Sequence, residues 1–366
     1  MCPESVEKQR QYRHGGTPEL DMRRLGMPMG PVLDFSVNLN PLGPPAVIRE
    51  KWPELLSGVA DYPSMHGKGV AYYYQSALNI SPWNFLAGNG STEMIYLLPR
   101  VLEFKHVAII TPSYHDYERA SLLAGSTVIR VPLCVHGGRV TLPRDRLMEI
   151  LPPADALWIG RPNNPTGDLF SKQLILDLAD RFPRKWFIVD EAFIQFTDNW
   201  KTRSFLTDPP RSNILVLHSL TKFFAIAGLR LGGIMGDQGI VARLKAAKEP
   251  WSINGIAERV GVLLADCGHY EDETRAIIRE ESKRVYNRLQ AMEGIIPCSP
   301  SANYLLCQWV KTDDLDDLLR HLLSHQVCVR DCRNFPGLET NFFRIGLRTV
   351  TENDRLLSLL ASCPST

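Results

Sequence analysis

The stretch Ser219-Leu220-Thr221-Lys222-Phe223-Phe224, followed by Gly228-Leu229-Arg230-Leu231-Gly232, decides the fold prediction for this chain. It comes directly after residues 213–218, an apolar run that is typical of a buried strand. A lysine just past a strand end can form an imine with an aldehyde cofactor, and nearby hydroxyls and an arginine can bind a phosphate. A lone lysine after a strand is usually a solvated surface residue, so this interpretation depends on the surrounding motifs.

Three further motifs precede this stretch. Asp190, in DEAF, ends an apolar run, and its carboxylate is either a helix cap or the partner of a protonated ring nitrogen. Asn164, in NNPTG, lies among turn-forming residues and could donate a hydrogen bond to a phenolic oxygen. Ser91 and Thr92, in GNGST, open a predicted helix whose N–H groups and hydroxyls could hold a phosphate. Each motif is weak evidence alone, and their common order strengthens all of them.

Short apolar runs alternate with helical stretches between about residues 80 and 240. The runs that we predict as strands are residues 106–111, 126–133, 156–160, 186–190, 213–218 and 231–235. Continuous apolar runs suit strands that are buried on both faces of a sheet. The alternation therefore predicts an α/β fold with a mostly parallel central sheet. Ligands of such sheets bind near the carboxyl ends of the strands, which is where the polar motifs lie.

The last hundred residues have a different pattern. We predict a helix over residues 258–292, a strand over 302–310, a helix over 312–325, strands near 327–331 and 341–348, and a helix over 351–362. In the second of these helices five leucines fall on one face. The pattern predicts a small α+β C-terminal domain over residues 271–366. A large cofactor-binding domain would cover residues 46–270, with an N-terminal segment, residues 1–45, that packs on the small domain.

The four motifs in this order make the chain resemble the fold-type I pyridoxal-phosphate enzymes, the superfamily of aspartate aminotransferase. The resemblance implies two catalytic residues: Lys222, which carries pyridoxal 5′-phosphate as an imine, and Asp190, which pairs with the ring nitrogen. The other cofactor-binding residues that it implies are Ser91, Thr92, Tyr114, Asn164, Ser219, Thr221 and Arg230, with Tyr114 stacked on the ring. Tyr62 matches a tyrosine that reaches the cofactor of a neighbouring subunit, which implies a homodimer.

A narrower resemblance connects the chain with the threonine-phosphate decarboxylases of cobalamin biosynthesis. The segments that carry it are HGG (14–16), DFSVNLNPLG (34–43), DEAFIQF (190–196), SLTK through GLRLG (219–232), ANYLL (302–306), NFPGL (334–338) and FRIGLR (343–348). It implies that L-threonine O-3-phosphate loses carbon dioxide and yields (R)-1-aminopropan-2-yl phosphate. The substrate-binding residues that it implies are His14, Gly15, Asn38, Asn164, Arg330 and Arg344.

Three alternatives remain open at the level of the sequence. A histidinol-phosphate-type aminotransferase would use the same Lys222, although Phe193 lacks the hydroxyl that many aminotransferases carry in DEAF. L-serine phosphate differs from the threonine ester by one methyl group, which a pocket discriminates by about 1–3 kcal/mol, and would give ethanolamine phosphate. A non-enzymatic pyridoxal-phosphate sensor would bring a DNA-binding domain, for which the first forty residues are too short.

The composition limits the classes of partner. The 366-residue chain has a formal net charge of +1, so we expect neither nucleic acid nor an anionic membrane as a partner. The partner that the resemblance implies is a phosphorylated amino-acid substrate. It contains no apolar stretch of about 18 residues and begins with polar residues, which favours a cytoplasmic protein. Its eight cysteines are scattered without zinc spacing, so no metal is expected.

Overall fold

The computed structural model describes residue 12 and residues 14–364, so residues 1–11 and 13 of the predicted N-terminal segment lie outside the described residues. The strands are β1 (Leu33–Asp34), β2 (Phe85–Asn89), β3 (His106–Thr111), β4 (Thr127–Pro132), β5 (Cys134–His136), β6 (Arg139–Thr141), β7 (Ala156–Gly160), β8 (Trp186–Asp190), β9 (Ile214–Ser219), β10 (Leu231–Met235), β11 (Ile295–Pro297), β12 (Tyr304–Trp309), β13 (Val327–Cys328), β14 (Arg330–Asp331) and β15 (Phe342–Gly346). The helices are α1 (Pro18–Leu25), α2 (Ala46–Glu50), α3 (Trp52–Ser57), α4 (Lys68–Leu78), α5 (Gly90–Val101), α6 (His115–Leu123), α7 (Arg144–Ile150), α8 (Lys172–Arg181), α9 (Trp200–Arg203), α10 (Gln238–Ala247), α11 (Gly255–Leu264), α12 (Gly268–Gln290), α13 (Leu315–Ser324) and α14 (Val350–Ser362).

The central sheet has seven strands in the order β2-β10-β9-β8-β7-β3-β4. Strands β9, β8, β7, β3 and β4 pair in parallel, and β10 runs antiparallel to both β9 and β2. Every residue of β7 and of β9 is buried, because helices cover both faces of the sheet. This burial is the reason that the strands are continuous apolar runs in the sequence. The predicted α/β class with a mostly parallel sheet is confirmed.

Three neighbouring strands end at the same edge of this sheet. In the register of the sheet Gly160 of β7 lies beside Asp190 of β8, and Asp190 lies beside Leu217 of β9. Asn164 lies in the segment after β7, Asp190 is the last residue of β8, and Lys222 lies in the segment after β9. Parallel pairing thus brings three motifs that are far apart in the sequence to one edge, as expected for an open α/β sheet.

A second sheet, of four strands in the order β11-β12-β15-β14, is entirely antiparallel. Helix α13 buries the five leucines of its apolar face, and the Asp314 side chain caps its N-terminus by accepting a hydrogen bond from the Asp316 N–H. Strand β1 pairs in parallel with β13, so the N-terminal segment joins the C-terminal part of the chain. The exact domain boundaries stay a prediction.

The structure differs from the predicted elements in several places, and two of these differences have a local cause in the sequence. Residues 258–292 form two helices, α11 and α12, which are separated at residues 265–267. The break lies just before Gly268, a poor helix former, and the apolar periodicity alone did not indicate it. Strands β5 and β6 form a hairpin that we did not predict. Its turn is Gly137-Gly138, in which both residues have positive φ, and this pair of glycines was the missed signal.

The described residues contain neither a membrane-spanning helix nor a cluster of metal ligands. Within residues 14–364, no helix is both long enough and apolar enough to cross a bilayer. Over the same residues no three side chains of histidine, cysteine, aspartate or glutamate come together as a set that could hold a metal ion. The cytoplasmic location expected from the sequence stays a prediction.

Candidate active site

One cavity at this edge of the central sheet collects every predicted site residue except Tyr62. Its lining includes His14, Gly15, Asn38, Ser91, Thr92, Tyr114, Asn164, Asp190, Ser219, Thr221, Lys222, Arg230, Arg330 and Arg344. The segments come from both sheets and from the N-terminal segment, so the fold brings together residues from almost the whole chain. His115, Tyr117, Phe193 and Phe335 also line the cavity, and the sequence had not indicated a role for His115, Tyr117 or Phe335.

Lys222 lies in the turn after β9, with its amine inside the cavity. Burial, together with the smaller effect of the positive charges of Arg230 and Arg344, lowers the pKa of this amine from 10.5 to about 8. A substantial fraction of the amine is therefore uncharged slightly above neutral pH. An uncharged amine is the nucleophile that attacks a carbonyl carbon, so Lys222 is prepared to form an imine.

Both carboxylate oxygens of Asp190 have protein donors. The Tyr117 hydroxyl donates to Oδ2 at 2.6 Å, and the Ala192 N–H donates to Oδ1 at 2.9 Å. The Tyr117 ring stacks on Trp158, with centroids 4.9 Å apart and an angle of 8° between the planes. Burial raises the pKa of Asp190, and the hydrogen bonds from Tyr117 and Ala192 oppose that rise. These contacts fix the direction of the carboxylate.

Tyr117 could have been found in the sequence. It follows Tyr114, the N-cap residue of α6, by three positions, and side chains at this spacing lie on the same side of a helix. The two rings make an edge contact with centroids 5.7 Å apart. Once Tyr114 is placed against the cofactor, the next aromatic residue on that face has to point toward the same cavity.

The opposite end of the cavity is rich in donors. Gly90 begins α5 with φ +70°, and a Cβ there would lie 2.7 Å from an Arg230 guanidinium nitrogen, so the close approach requires glycine. Arg230 also lies 3.4 Å from the Thr92 hydroxyl. The hydroxyls of Ser219 and Thr221 are hydrogen-bonded to each other at 2.7 Å. A helix N-terminus, hydroxyls and a guanidinium form a suitable site for a phosphate.

Arg344, on β15, is a buried cation whose Nε has no hydrogen-bond partner among the described residues. Its guanidinium donates to the Asn164 side-chain oxygen and to the Ser36 carbonyl, and lies 5.5 Å from the centre of the Tyr304 ring. Burial lowers its pKa to about 10, so it keeps its charge at neutral pH. Among the described residues nothing accepts from Arg344 Nε or donates to Asn38 Oδ1, although both atoms are buried. Buried polar groups without protein partners are the kind that a ligand satisfies.

Arg330, on β14, is the second buried arginine of the cavity. Its guanidinium carbon lies 5.2 Å from the centre of the Phe335 ring, and Nη2 donates to the Asn334 side-chain oxygen at 2.9 Å. His14 lies near it, with Nε2 3.5 Å from a carboxylate oxygen of Asp116. Burial is the main reason that the pKa of His14 is lowered, and the Asp116 carboxylate opposes the shift.

The N-terminal segment approaches the cavity very closely. A Cβ at Gly15 would lie 2.3 Å from the Ser36 carbonyl oxygen, so no larger residue fits there without a shift of the backbone. The Gly16 N–H donates to the Ser36 hydroxyl at 2.7 Å. The HGG element is thus part of the cavity wall, which explains why glycines follow His14.

Tyr62 lies outside this cavity. Its side chain is exposed over 87% of its surface and contacts Trp251, with ring centroids 5.6 Å apart. It is absent from the lining of the site in its own chain. The contact with a neighbouring subunit that the sequence implied stays a prediction.

The charges of the cavity favour an anionic ligand. Four cationic side chains, those of Lys222, Arg230, Arg330 and Arg344, surround it, and the carboxylate of Asp190 is the acidic side chain of its lining. The donors also form separate groups, one at Arg230 and others at Arg330 and Arg344. The arrangement can bind one phosphate beside the lysine and two further anionic groups on a second molecule.

Known proteins resemble this chain both in sequence and in structure. The sequence model of the family described as aminotransferase class I and II matches residues 30–360. Threonine-phosphate decarboxylase of Salmonella typhimurium is 34% identical over 362 residues, 95% of each chain. An adenosylcobalamin biosynthesis bifunctional protein of Leptospira interrogans is 30% identical over 95% of this chain and 41% of that protein. The structure of histidinol-phosphate aminotransferase from Clostridium acetobutylicum has a TM-score of 0.84 and 30% identity, covering 90% of this chain and 98% of that one.

Proposed function

The chain belongs to the aminotransferase class I and II family, and on this premise we propose that it is a decarboxylase of L-threonine O-3-phosphate. The product is (R)-1-aminopropan-2-yl phosphate, and the cofactor is pyridoxal 5′-phosphate. The names of the Salmonella and Leptospira relatives support both the reaction and a place in cobalamin biosynthesis.

Pyridoxal phosphate fits the donor set of the cavity. Lys222 would hold its aldehyde, Asp190 its ring nitrogen and Asn164 its phenolic oxygen. The residues that would hold its phosphate are Ser91, Thr92, Ser219, Thr221 and Arg230. Tyr114 supplies a flat aromatic surface for the ring. The lowered pKa of Lys222 and the fixed carboxylate of Asp190 are the two features that suit these roles.

The observation that carries the choice of substrate is the pair of buried arginines. Arg330 and Arg344 are 4% and 5% exposed, and both line the cavity that contains Lys222. Each of these guanidiniums can bind one anionic group of a ligand through charge-assisted hydrogen bonds. An amino acid that carries both a carboxylate and a phosphate satisfies the two of them.

Residues of the chain then control which bond breaks. When bound, pyridoxal phosphate supplies an aldehyde that takes up the substrate amine and a protonated ring that accepts electrons from the substrate Cα. Asp190 keeps the proton on the ring nitrogen. Arg330 and Arg344 hold both anionic groups of the substrate and so fix the orientation of the bonds at Cα. The Lys222 amine delivers a proton to Cα after carbon dioxide has left.

Phe193 supports decarboxylation over transamination. Its ring packs on Tyr304, with centroids 5.0 Å apart at 71°. It has no hydroxyl to donate to the phenolic oxygen of the cofactor, which leaves that oxygen to Asn164. The electronic state of the bound cofactor therefore differs from that in an aminotransferase with tyrosine at this position.

A single-turnover reaction in deuterium oxide tests the proposal. The expected product of L-threonine phosphate is (R)-1-aminopropan-2-yl phosphate with one deuterium on the carbon that carried the carboxylate. Mass spectrometry and phosphorus NMR identify both the product and its label. Recovery of threonine phosphate with deuterium at Cα, and no amine product, would show that the site breaks the Cα–H bond instead.

A second candidate function is a histidinol-phosphate aminotransferase, which the TM-score of 0.84 with the Clostridium enzyme favours. Histidinol phosphate has a phosphate but no carboxylate. It would therefore occupy only one of the two buried arginines until the amino acceptor, a dicarboxylate, enters. Formation of glutamate from 2-oxoglutarate separates this function from the decarboxylase.

We also infer that the protein is a homodimer. Trp251, which contacts Tyr62, is an exposed apolar side chain, and four more exposed apolar residues are near Tyr62 in the sequence: Trp52, Leu56, Val59 and Met65. An exposed apolar surface of this kind is typical of a protein interface. A second copy of the chain would cover it and would bring Tyr62 to the phosphate end of the neighbouring cavity.

A further inference from the structure

His115 is a cavity residue for which neither the motifs nor the proposed mechanism gives a role. It is the first residue of α6, and its side chain is buried at 6% exposure. Its ring stacks on Phe335, with centroids 4.2 Å apart and 20° between the planes. Both residues line the cavity with Arg330. The imidazole is therefore held in one orientation beside a buried cation.

The hydrogen bonds around Asn334 determine which ring nitrogen carries the proton. Arg330 Nη2 lies 2.9 Å from Asn334 Oδ1, and because a guanidinium only donates, the atom that faces it must be the amide oxygen. The Asn334 amide nitrogen then faces His115 Nε2 at 3.2 Å and donates to it. Nε2 is thus an acceptor, and the proton of the neutral ring is on Nδ1.

The ring stays in this neutral form at physiological pH. Burial lowers the pKa of His115 to about 3, and the charges of Arg330 and His14 act in the same direction. Its Nδ1–H is a hydrogen-bond donor for which no described residue of the chain is an acceptor. A donor that is held in place next to an arginine suits an anionic oxygen of a ligand.

The two arginines are neighbours on β14 and β15, and they contact different parts of the cavity. Arg344 lies close enough to Lys222 for its charge to lower the pKa of that amine, and it contacts Asn164. Arg330 acts instead on His115 and His14. In threonine phosphate the carboxyl carbon is bonded directly to Cα, whereas the phosphorus is three bonds away. The carboxylate therefore belongs at Arg344 and the phosphate at Arg330.

We propose that His115 is a specificity-determining residue that donates its Nδ1–H to the ester phosphate of the substrate, beside Arg330. The inference rests on the proposed function, because it requires a phosphorylated amino acid in the cavity. Asn334 and Phe335 are positioning residues, since they set the tautomer and the plane of the ring. Together they make the site selective for a substrate with a phosphate over the same amino acid without one.

Two variants distinguish the effect of the Nδ1–H donor of His115 from the effect of its aromatic ring. His115→Phe keeps an aromatic ring against Phe335 and removes the donor. His115→Asn loses the ring but keeps an N–H the same number of bonds from Cβ as Nδ1. His136→Phe, in the exposed hairpin, is the control for a histidine-to-phenylalanine change elsewhere.

The measurement is the dissociation constant of the holoenzyme for L-threonine phosphate and for L-threonine, from the change in cofactor absorption. His115→Phe should weaken binding of the phosphorylated ligand by about tenfold to a hundredfold, the loss expected for a hydrogen bond to a charged group. Binding of L-threonine and the cofactor spectrum should not change. His115→Asn should recover most of the loss, and His136→Phe should equal the wild type.

Every other outcome contradicts a specific part of the proposal. If His115→Phe binds threonine phosphate as tightly as the wild type, or loses L-threonine equally, His115 does not bind the phosphate. If His115→Asn is as weak as His115→Phe, the ring and not the donor matters. A wild-type protein that binds threonine phosphate tightly but releases no carbon dioxide refutes the decarboxylase and leaves the His115 comparison valid. Failure of the wild type to bind it refutes both.

Discussion

The carboxylate of Asp190 shows how single residues prepare this site. Desolvation favours its protonated form, which could not stabilise a positive ring nitrogen. The short hydrogen bond from Tyr117 opposes that effect. Tyr117 is thus a positioning residue whose hydrogen bond favours the charged form of a buried acid.

Replacement of Tyr117 by phenylalanine tests this role. Tyr117→Phe should raise the pKa of Asp190 and weaken cofactor binding by about tenfold, because a hydrogen bond to a charged group contributes about 1.5–3 kcal/mol. Equilibrium dialysis of the apoprotein with pyridoxal phosphate measures the affinity, and the absorption spectrum reports ring protonation. Tyr96→Phe is the matched control, since Tyr96 makes a bond of the same 2.6 Å length to Asp116 outside the cavity. Equal losses in both variants would point to a general structural effect.

Lys222 leads to a prediction about pH. A lysine amine attacks an aldehyde only when uncharged, so capture of pyridoxal phosphate by the apoprotein should accelerate as the pH rises through about 8, the lowered pKa of Lys222, and level off above it. Stopped-flow absorbance measures the rate. The same reaction with free Nα-acetyl-lysine corrects for the titration of the cofactor itself. A rate that keeps rising to the ordinary lysine pKa of 10.5 would contradict the effect of burial.

At this scale the sequence predicted the residues that directly follow strands, because the motifs are local and their chemistry is distinctive. It missed His115, whose partner Asn334 is 219 positions away. The periodicity of a sequence shows which residues share a helix face, but it does not show which distant residues that face contacts in the folded chain. The proposed role of His115 depends on its contact with Asn334, which exists only in the folded chain.

At the scale of elements, a buried ion pair locks together the segments that follow β7 and β8. Arg161 and Glu191 approach within 3.0 Å, with side-chain exposures of 3% and 0%. The Glu191 side chain also accepts hydrogen bonds from Ser204 and from the N–H of Phe205. These two residues adjoin the segments with Asn164 and Asp190, so the pair holds both cofactor contacts in register.

Breaking the Arg161–Glu191 ion pair should lower the stability of the folded protein. Arg161→Met should lower the free energy of unfolding by about 3–5 kcal/mol, because it leaves the Glu191 carboxylate buried without a counter-charge. The double variant Arg161→Met, Glu191→Leu should be more stable than the single one. Denaturant unfolding measures both. Arg146→Ala, which breaks an exposed pair with Glu149, should change the value by less than about 1 kcal/mol. A single variant as stable as the wild type would show that the pair does not lock the segments.

Elements buried on both faces were the most predictable. The bounds of β7 and β10 agree with the predicted runs to the residue, because every position of these strands is buried and none carries a polar side chain. The short β1 was not predicted, since two residues that pair with a strand almost 300 positions later give no periodic signal. Pairing over such distances depends on the assembled fold.

At the scale of the whole molecule, the resemblance indicated by four ordered motifs is confirmed, and with it the fold-type I architecture. The order of motifs was informative because the fold places three of them at the ends of the neighbouring strands β7, β8 and β9, and the fourth after β2 of the same sheet. The number of subunits was harder to predict from the sequence, because an interface appears there only as scattered apolar residues.

Mixing two defective variants tests the shared site of the proposed dimer. Lys222→Ala lacks the lysine, and Tyr62→Ala lacks the tyrosine that we expect in the neighbouring cavity. A mixed dimer would contain one complete site, with Lys222 from one subunit and Tyr62 from the other. Co-refolded mixtures should therefore exceed the activity of both parents combined. A simple average of the parents would contradict a shared site, and a monomer in sedimentation would contradict the dimer.

The central claim is the loss of carbon dioxide from threonine phosphate, and its most direct test is a parallel assay. The purified protein with pyridoxal phosphate receives L-threonine phosphate in one reaction, L-serine phosphate in a second, and histidinol phosphate with 2-oxoglutarate in a third. We predict carbon dioxide from threonine phosphate, in equal amount to the amine phosphate, and no glutamate in the third reaction. Glutamate without carbon dioxide would contradict the account and make the protein an aminotransferase.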